Sequence, residues 1–233
     1  MSSILHTEDM YRIDILTAIP RPEERDSLCA CPLTLTLNGT PVGAVTCSPE
    51  QLAEMALGYL VSGGYLENAA SLTSVRPSEE EGTLLCTASL PLPPRRILSM
   101  VKPFKEYRWT PSWLHFFALE KQPLAGSLQR SFLLRRGEIL YRCRDIDARC
   151  AVDKALGCAL RDHVPLSDSV LFVDGLLTEE LVGKAVMAGV PVFCGSGIPT
   201  DRAVTLARRH HLELVGSVRK DGINIFSDRY LWR

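Results

Sequence analysis

Eight cysteines, one glycine-rich loop and one adjacent Asp-Lys pair are the features of this 233-residue chain whose types and spacing could do chemistry. Gly195-Ser-Gly-Ile-Pro-Thr200 follows the apolar run Val190-Pro-Val-Phe-Cys194 and leads into a helical pattern from Asp201 to His210. Gly195 and Gly197, with Ser196 between them, let backbone approach a ligand closely. The helix beyond Thr200 directs N–H groups and a partial positive charge outward, with Arg202 in its first turn. That combination suits a phosphate. It equally suits a plain turn in which Thr200 is an N-cap, and the sequence leaves both readings open. Asp153 and Lys154 are neighbours on a helix and face about 100° apart, so they read as members of two separate ion pairs. A lysine such as Lys184 can offer phosphate a point charge, but one that only snorkels at the surface has the same sequence signature.

A thiol that carries sulfur has to be ionised and accessible. Cys29-Ala-Cys31, at the entrance of a strand, and Cys150, near the start of a helix, are the candidates. Cys86, Cys158 and Cys194 lie in apolar segments and read as reduced, small core residues. No metal site is expected: C-x-C alone is not a zinc pattern, no histidine pair shares helical spacing with it, and His210-His211 diverge around a helix end. The H-x-E and P-C-x-x-C runs of zinc-dependent base hydrolysis are absent, as are a G-x-S-x-G elbow, a Walker loop and a G-x-G-x-x-G fingerprint.

The elements that must position these residues are legible. Val170–Val173, a helix capped by Thr178 and running through Met187, Val190–Cys194, the helix from Asp201 and Leu212–Val218 alternate as strand and helix. They predict a mostly parallel sheet with ligands beyond the carboxyl ends of its strands. Upstream, Leu33–Leu37 alternates with period two and meets Asn38-Gly39, which predicts a hairpin to Pro41–Val45. Ser48-Pro-Glu-Gln51 reads as a capping box opening a helix whose stripe is Leu52, Met55, Ala56, Tyr59 and Leu60. Leu72–Val75 and Thr83–Leu90 read as strands joined by the acidic turn Glu79–Glu81. A helix is expected from Pro111 with Trp113, Leu114, Phe116, Phe117 and Leu119 as its stripe, then a hairpin of Ser131–Leu134 and Ile139–Cys143, then a helix ending near His163. The organisation is a polar, irregular arm (1–27), an α+β unit (28–90), a proline-rich basic linker (91–111) and an α/β domain (112–233). With 46% hydrophobic and 23% charged residues, a net charge of −1 and a pI near 6.5, there is no global basic field, so nucleic acid is not an expected partner. No apolar run approaches the ~20 residues that span a bilayer, and His6, Glu8 and Asp9 do not make a signal peptide, so a cytoplasmic protein without a membrane partner is expected.

Pro32-Leu-Thr-Leu-Thr-Leu-Asn-Gly39, Glu54-Met-Ala-Leu-Gly-Tyr-Leu60, Asp145-Ile-Asp-Ala-Arg-Cys-Ala-Val-Asp-Lys154, Glu180–Pro191, Ile198-Pro-Thr200, Ala203-Val204 and Leu214-Val-Gly216 occur in one order. Across roughly residues 30 to 230 this string resembles the FdhD/NarQ family of formate dehydrogenase accessory proteins. The resemblance implies a cytidine-deaminase-like, three-layer C-terminal α/β domain behind a smaller N-terminal α+β unit. It also implies a sulfurtransferase role, taking sulfur from a cysteine desulfurase and passing it to the molybdenum bis(molybdopterin guanine dinucleotide) cofactor of formate dehydrogenase or a related molybdoenzyme. Gly195, Ser196, Gly197, Thr200, Arg202, Arg149, Lys154 and Lys184 are then the expected cofactor-binding residues, and a homodimer is expected, with which a stripe of Trp109, Trp113 and Phe117 is compatible.

The departures are chemical. Relatives carry sulfur on a C-x-x-C loop corresponding to the 91–111 region, and this chain has no cysteine between Cys86 and Cys143. The family's T-G-G-x-H is Ala125-Gly-Ser-Leu-Gln129 and its D-[VI]-G-R-H-N-A-x-D-K is Asp145–Lys154, so both histidines are lost and Ala148-Arg149 replaces an Arg-His pair. The family's R-A-S-Y-E is Leu176-Leu-Thr-Glu-Glu180, which loses another arginine. A second reading therefore stands beside the first: a non-catalytic nucleotide- or partner-binding module on the same scaffold.

Overall fold

A computed structural model of the chain describes residues 4–78, 82–89, 94–102, 128–219 and 222–227. The acidic turn at 79–81, the helix from Pro111 with its aromatic stripe, Trp109 and most of the Ala125–Gln129 tract lie outside the described residues.

The segment expected to be irregular is a hairpin. Strands β1 (Leu5–Ile13) and β2 (Pro20–Leu28) pair antiparallel from Leu5 opposite Leu28 to Ile13 opposite Pro20. Asp14 closes the turn by accepting from the Leu16 and Thr17 amides at 2.9 and 3.1 Å, which holds its carboxyl below the usual range. The expectation failed because hydrophobic alternation reports burial, and this ribbon buries almost nothing: both strands are exposed along nearly their whole length.

Strands β3 (Cys31–Leu37) and β4 (Thr40–Cys47) turn at Asn38 and Gly39, both with positive φ (48° and 82°), as a two-residue primed hairpin requires. With β5 (Leu72–Pro77) and β6 (Thr83–Ala88) they make a four-stranded sheet of order β4-β3-β6-β5, in which β3 and β6 run parallel. Helix α1 (Leu52–Ser62) packs Met55, Ala56 and Leu60 against Leu35, Leu37, Leu84 and Cys86 of this sheet. Its entry differs from the predicted capping box. The helix starts after Gln51, which is left-handed (φ 54°, ψ 40°) and makes no side-chain cap, while Ser48 has been drawn away to a buried carboxylate. A local capping motif lost to a tertiary partner.

The second sheet follows the predicted alternation. Strands β7 (Gln129–Arg135) and β8 (Glu138–Asp145) form the hairpin around Arg136-Gly137, followed by α2 (Ala148–Arg161). Then come β9 (Ser169–Val173), α3 (Glu179–Ala188), β10 (Val192–Gly195), α4 (Asp201–Arg209), β11 (Glu213–Arg219) and β12 (Gly222–Ser227). The order is β12-β11-β10-β9-β7-β8, with β9, β10 and β11 parallel and the outer strands antiparallel. The protein is thus a mixed α/β structure. Because β9, β10 and β11 advance in one direction, right-handed crossovers place α3 and α4 on the same face. Leu171, Phe193 and Leu214 meet α2, α3 and α4 there, and Phe132, Phe172, Val192 and Val215 bury a separate cluster on the other face.

Two glycines let the sheets' helices meet. A Cβ at Gly58 of α1 would lie 1.9 Å from the Asp153 carbonyl oxygen, and one at Gly157 of α2 would lie 1.8 Å from that of Glu54. The helices therefore cross backbone to backbone, each glycine admitting the other helix. Residues 94–102 strap the far ends: Arg96 donates its amide to Gly64 O at 2.9 Å and its guanidinium to Met187 O, Arg95 stacks 4.4 Å from the Tyr65 ring centre, and Val101 bonds His210 O at 2.9 Å. No described helix is long and apolar enough to cross a membrane.

Candidate functional site

The loops after β9 and β10 lie at the carboxyl edge, as the strand order dictates, and they bind each other. Gly197 N donates to Gly175 O at 2.9 Å, Gly175 N to Ser196 Oγ at 2.8 Å, Leu177 N to Ile198 O at 3.2 Å and Thr200 N to Leu177 O at 3.0 Å. A Cβ at Gly195 would fall 2.6 Å from Leu177 Cδ2, and one at Gly197 would fall 2.3 Å from Gly175 O. Both glycines are thus required by loop-on-loop packing. The physical reason is topological: with α3 and α4 on one face, no reversal of strand order opens a crevice between β9 and β10.

Around this edge the predicted Arg202 and Arg149 already have carboxylates, and so does Arg130, which was not among the expected residues. Arg202 Nε sits 2.8 Å from Glu179 across the α3 and α4 N-termini, Arg149 bonds Asp147 at 2.6 Å and reaches Glu180 at 3.6 Å, and Arg130 pairs with Asp174. Thr200 Oγ1 accepts from Ala203 N at 3.2 Å and so caps α4. Arg149 and Asp147 also line a groove of about 510 Å³ against Pro32, Thr34, Ala44 and Thr46 of β3 and β4.

Lys154 and Lys184 are not at the edge with these arginines. Lys154 is fully buried with Nζ 2.6 Å from Asp145, itself fully buried, and 2.7 Å from Ser48 Oγ. The same Asp145 accepts from Ser48 N at 3.1 Å and from Asp147 N at 3.1 Å, so its two oxygens are saturated by the end of β4 and the start of α2. Lys184 of α3 lies 2.8 Å from Asp153 of α2, and Ser62 of α1 donates to Asp153 at 2.8 Å. Burial pushes the Asp153 carboxyl up, and the Lys184 ammonium opposes that shift. One buried polar knot therefore joins three helices, and another joins both sheets.

The thiols divide by environment. Cys29 and Cys31 are half-buried, and the other six are buried. Cys31 lies opposite Cys47 in the β3–β4 register. Burial pushes the Cys47 thiol up to about 12, with Asp145 adding to it, and Cys86 up to about 11. Cys150 is raised as well, by burial and then by Asp145, Asp153 and Asp147, and it faces the Thr46 carbonyl oxygen at 4.0 Å. A carbonyl gives a thiolate nothing to hold. On chemistry, Cys29 and Cys31 are better placed than Cys150 to carry sulfur. Among the described residues no cluster of His, Cys, Asp and Glu could hold a metal.

Sequence reasoning missed Asp145, Ser48, Ser62 and Asp174 as partners. Asp145 precedes a helix and looks like a cap; Ser48 does too. Only the fold shows that a neighbour about a hundred residues away claims both.

The model of the FdhD/NarQ family matches residues 28–100 and 120–231. The chain is 27% identical over 225 residues to the sulfur carrier protein FdhD of Staphylococcus aureus strain MRSA252, covering 84% of this chain and 85% of that one. A shorter match, 35% over 106 residues, joins 45% of it to 41% of the sulfur carrier protein FdhD of Saccharolobus solfataricus. A crystal structure assigned to a formate dehydrogenase accessory protein from Desulfotalea psychrophila superposes with a TM-score of 0.83 over 98% of this chain and 99% of that one, at 22% identity, and so shares its fold.

Proposed function

Because the chain belongs to the FdhD/NarQ family, we propose that it is a formate dehydrogenase accessory protein that binds the guanine-dinucleotide form of the molybdenum cofactor and transfers sulfur to it. The observation that supports this reading is a family match that spans both sheets and both carboxyl-edge loops. The donor set fits the cofactor in part. Arg202 and Arg149 can turn from Glu179 and from Asp147 and Glu180 to the diphosphate, exchanging carboxylate for phosphate at the N-terminal ends of α4 and α2. Lys154 and Lys184 do not fit as ligands, because internal carboxylates hold them inside. When bound, the cofactor supplies the metal that accepts sulfur. The protein's part is to orient the nucleotide and to present a persulfide on Cys29 or Cys31, received from a cysteine desulfurase, to a formate dehydrogenase or related molybdoenzyme, working as a homodimer.

Calorimetric titration of the full chain with GDP tests the site. Saturable binding is expected, weakened in Arg202→Ala and strengthened by about threefold in Glu179→Gln, the worth of an exposed ion pair that no longer competes. No binding up to millimolar GDP overturns the cofactor assignment. The absence of a cysteine between Cys86 and Cys143 favours a second reading, a nucleotide- or partner-binding module without transfer. GDP binding with no persulfide on any cysteine after incubation with a desulfurase and cysteine would select it.

A further inference from the structure

One thiol pair lies away from the carboxyl-edge loops and from Cys29 and Cys31. Cys143 on β8 and Cys158 on α2 place their sulfurs 4.0 Å apart in the core, in contact. A third element attends them. The Gln51 side-chain amide donates to Cys158 Sγ at 3.6 Å. Gln51 holds that position from a left-handed backbone, which a non-glycine residue adopts at a cost, at a helix start where its side chain makes no cap. Thiols used only as packing have no use for an amide donor.

The two sulfurs are also unequal. Either sulfur can donate in the contact they share, but it is Cys158 that accepts the Gln51 amide, a donor that holds a thiolate there. Gln51 is exposed, and near Cys158 the exposed Arg161 pairs with Glu54 and Asp162 while Tyr141 Oη donates to Asp162 at 2.8 Å. A side-chain rotation of Gln51 is a smaller motion than opening an apolar core.

We propose that Cys143 and Cys158 form a dithiol site that exchanges with low-molecular-weight disulfides, Cys158 attacking first and Cys143 resolving. The Cys158 thiolate attacks one sulfur of R–S–S–R, forming Cys158–S–S–R and expelling RS⁻, which takes up the proton Cys158 had lost. The Cys143 thiolate, its proton passed to solvent, then attacks Cys158 Sγ; the Cys143–Cys158 bond forms and a second RS⁻ leaves, protonated from solvent. Two protein thiols are oxidised and one disulfide is reduced to two thiols. Closing the bond brings the sulfurs together by about 2 Å, within side-chain rotation plus a small shift of α2 on β8. The site is independent of the cofactor reading.

The test uses the folded full chain with hydroxyethyl disulfide as the probe, acid quench, alkylation and peptide mass spectrometry. A linked Cys143–Cys158 peptide, reversed by dithiothreitol, is the expected product. Cys143→Ser should stop at a hydroxyethyl adduct on Cys158, and Cys143→Ala serves if the serine variant folds poorly. Gln51→Glu keeps the shape but replaces the donor with a carboxylate, and should slow formation of the linked peptide by about tenfold, the loss of one hydrogen bond to a charged sulfur. An unlinked pair in the wild-type chain while Cys29 and Cys31 take up the probe overturns the proposal, as does an unchanged rate in Gln51→Glu.

Discussion

At the scale of single residues, Lys154 shows how a motif residue can be legible and its partner not. Adjacent Asp153 and Lys154 could be read as belonging to different pairs because a helix turns 100° per residue. Who those partners are depends on β8 and α3, and no local rule names Asp145 or Lys184. The Lys154–Asp145 pair is fully buried, so removing one charge strands the other. Lys154→Met is expected to cost about 3–5 kcal/mol in urea unfolding, and Lys154→Met with Asp145→Leu should recover most of that. If the double variant is as unstable as the single one, the Ser48 and Asp147 hydrogen bonds, and not the charge, set the stability of this corner.

At the scale of elements, hydrophobic period and turn chemistry placed the strands and helices well wherever burial is one-sided. Asn38-Gly39 and Arg136-Gly137 adopt the positive φ their turns require. The misses have separate causes: β1 and β2 bury no face, and α1 begins four residues beyond Ser48 because a tertiary carboxylate outcompetes a local cap. The α1–α2 crossing was invisible for another reason. Gly58 and Gly157 look like weak points of helix propensity, yet each admits a backbone carbonyl. Gly157→Ala should gain helix propensity and still lose stability, by about 1–3 kcal/mol or more, since the obstacle is backbone that cannot rotate away. A thermal melt raised by that substitution would mean the helices are farther apart than described.

At the scale of the whole molecule, two sheets are joined by a glycine-notched helix crossing, two buried polar knots and the 94–102 strap, while the β1–β2 hairpin stands apart. Ile15 and Leu16 at its tip are 97% and 95% exposed. Replacing both with serine should leave the melting temperature within about 1–2 °C, because neither side chain is part of a core. A large drop would show that the tip is buried in solution.

By itself the sequence determined what depends on neighbours a few residues away: the βαβαβ alternation from Val170 to Val218, the primed hairpin turns, the Thr178 and Thr200 caps and the membership of a family. Only the tertiary structure decided what depends on elements far apart in the chain. It put α3 and α4 on one face and so closed the two edge loops on each other. It paired each candidate arginine with a carboxylate, withdrew Lys154 and Lys184 into the interior, and brought Cys143, Cys158 and Gln51 together. Short-range patterns record backbone preference and burial; charge partners and reactive thiols are set by which surfaces the packed elements share.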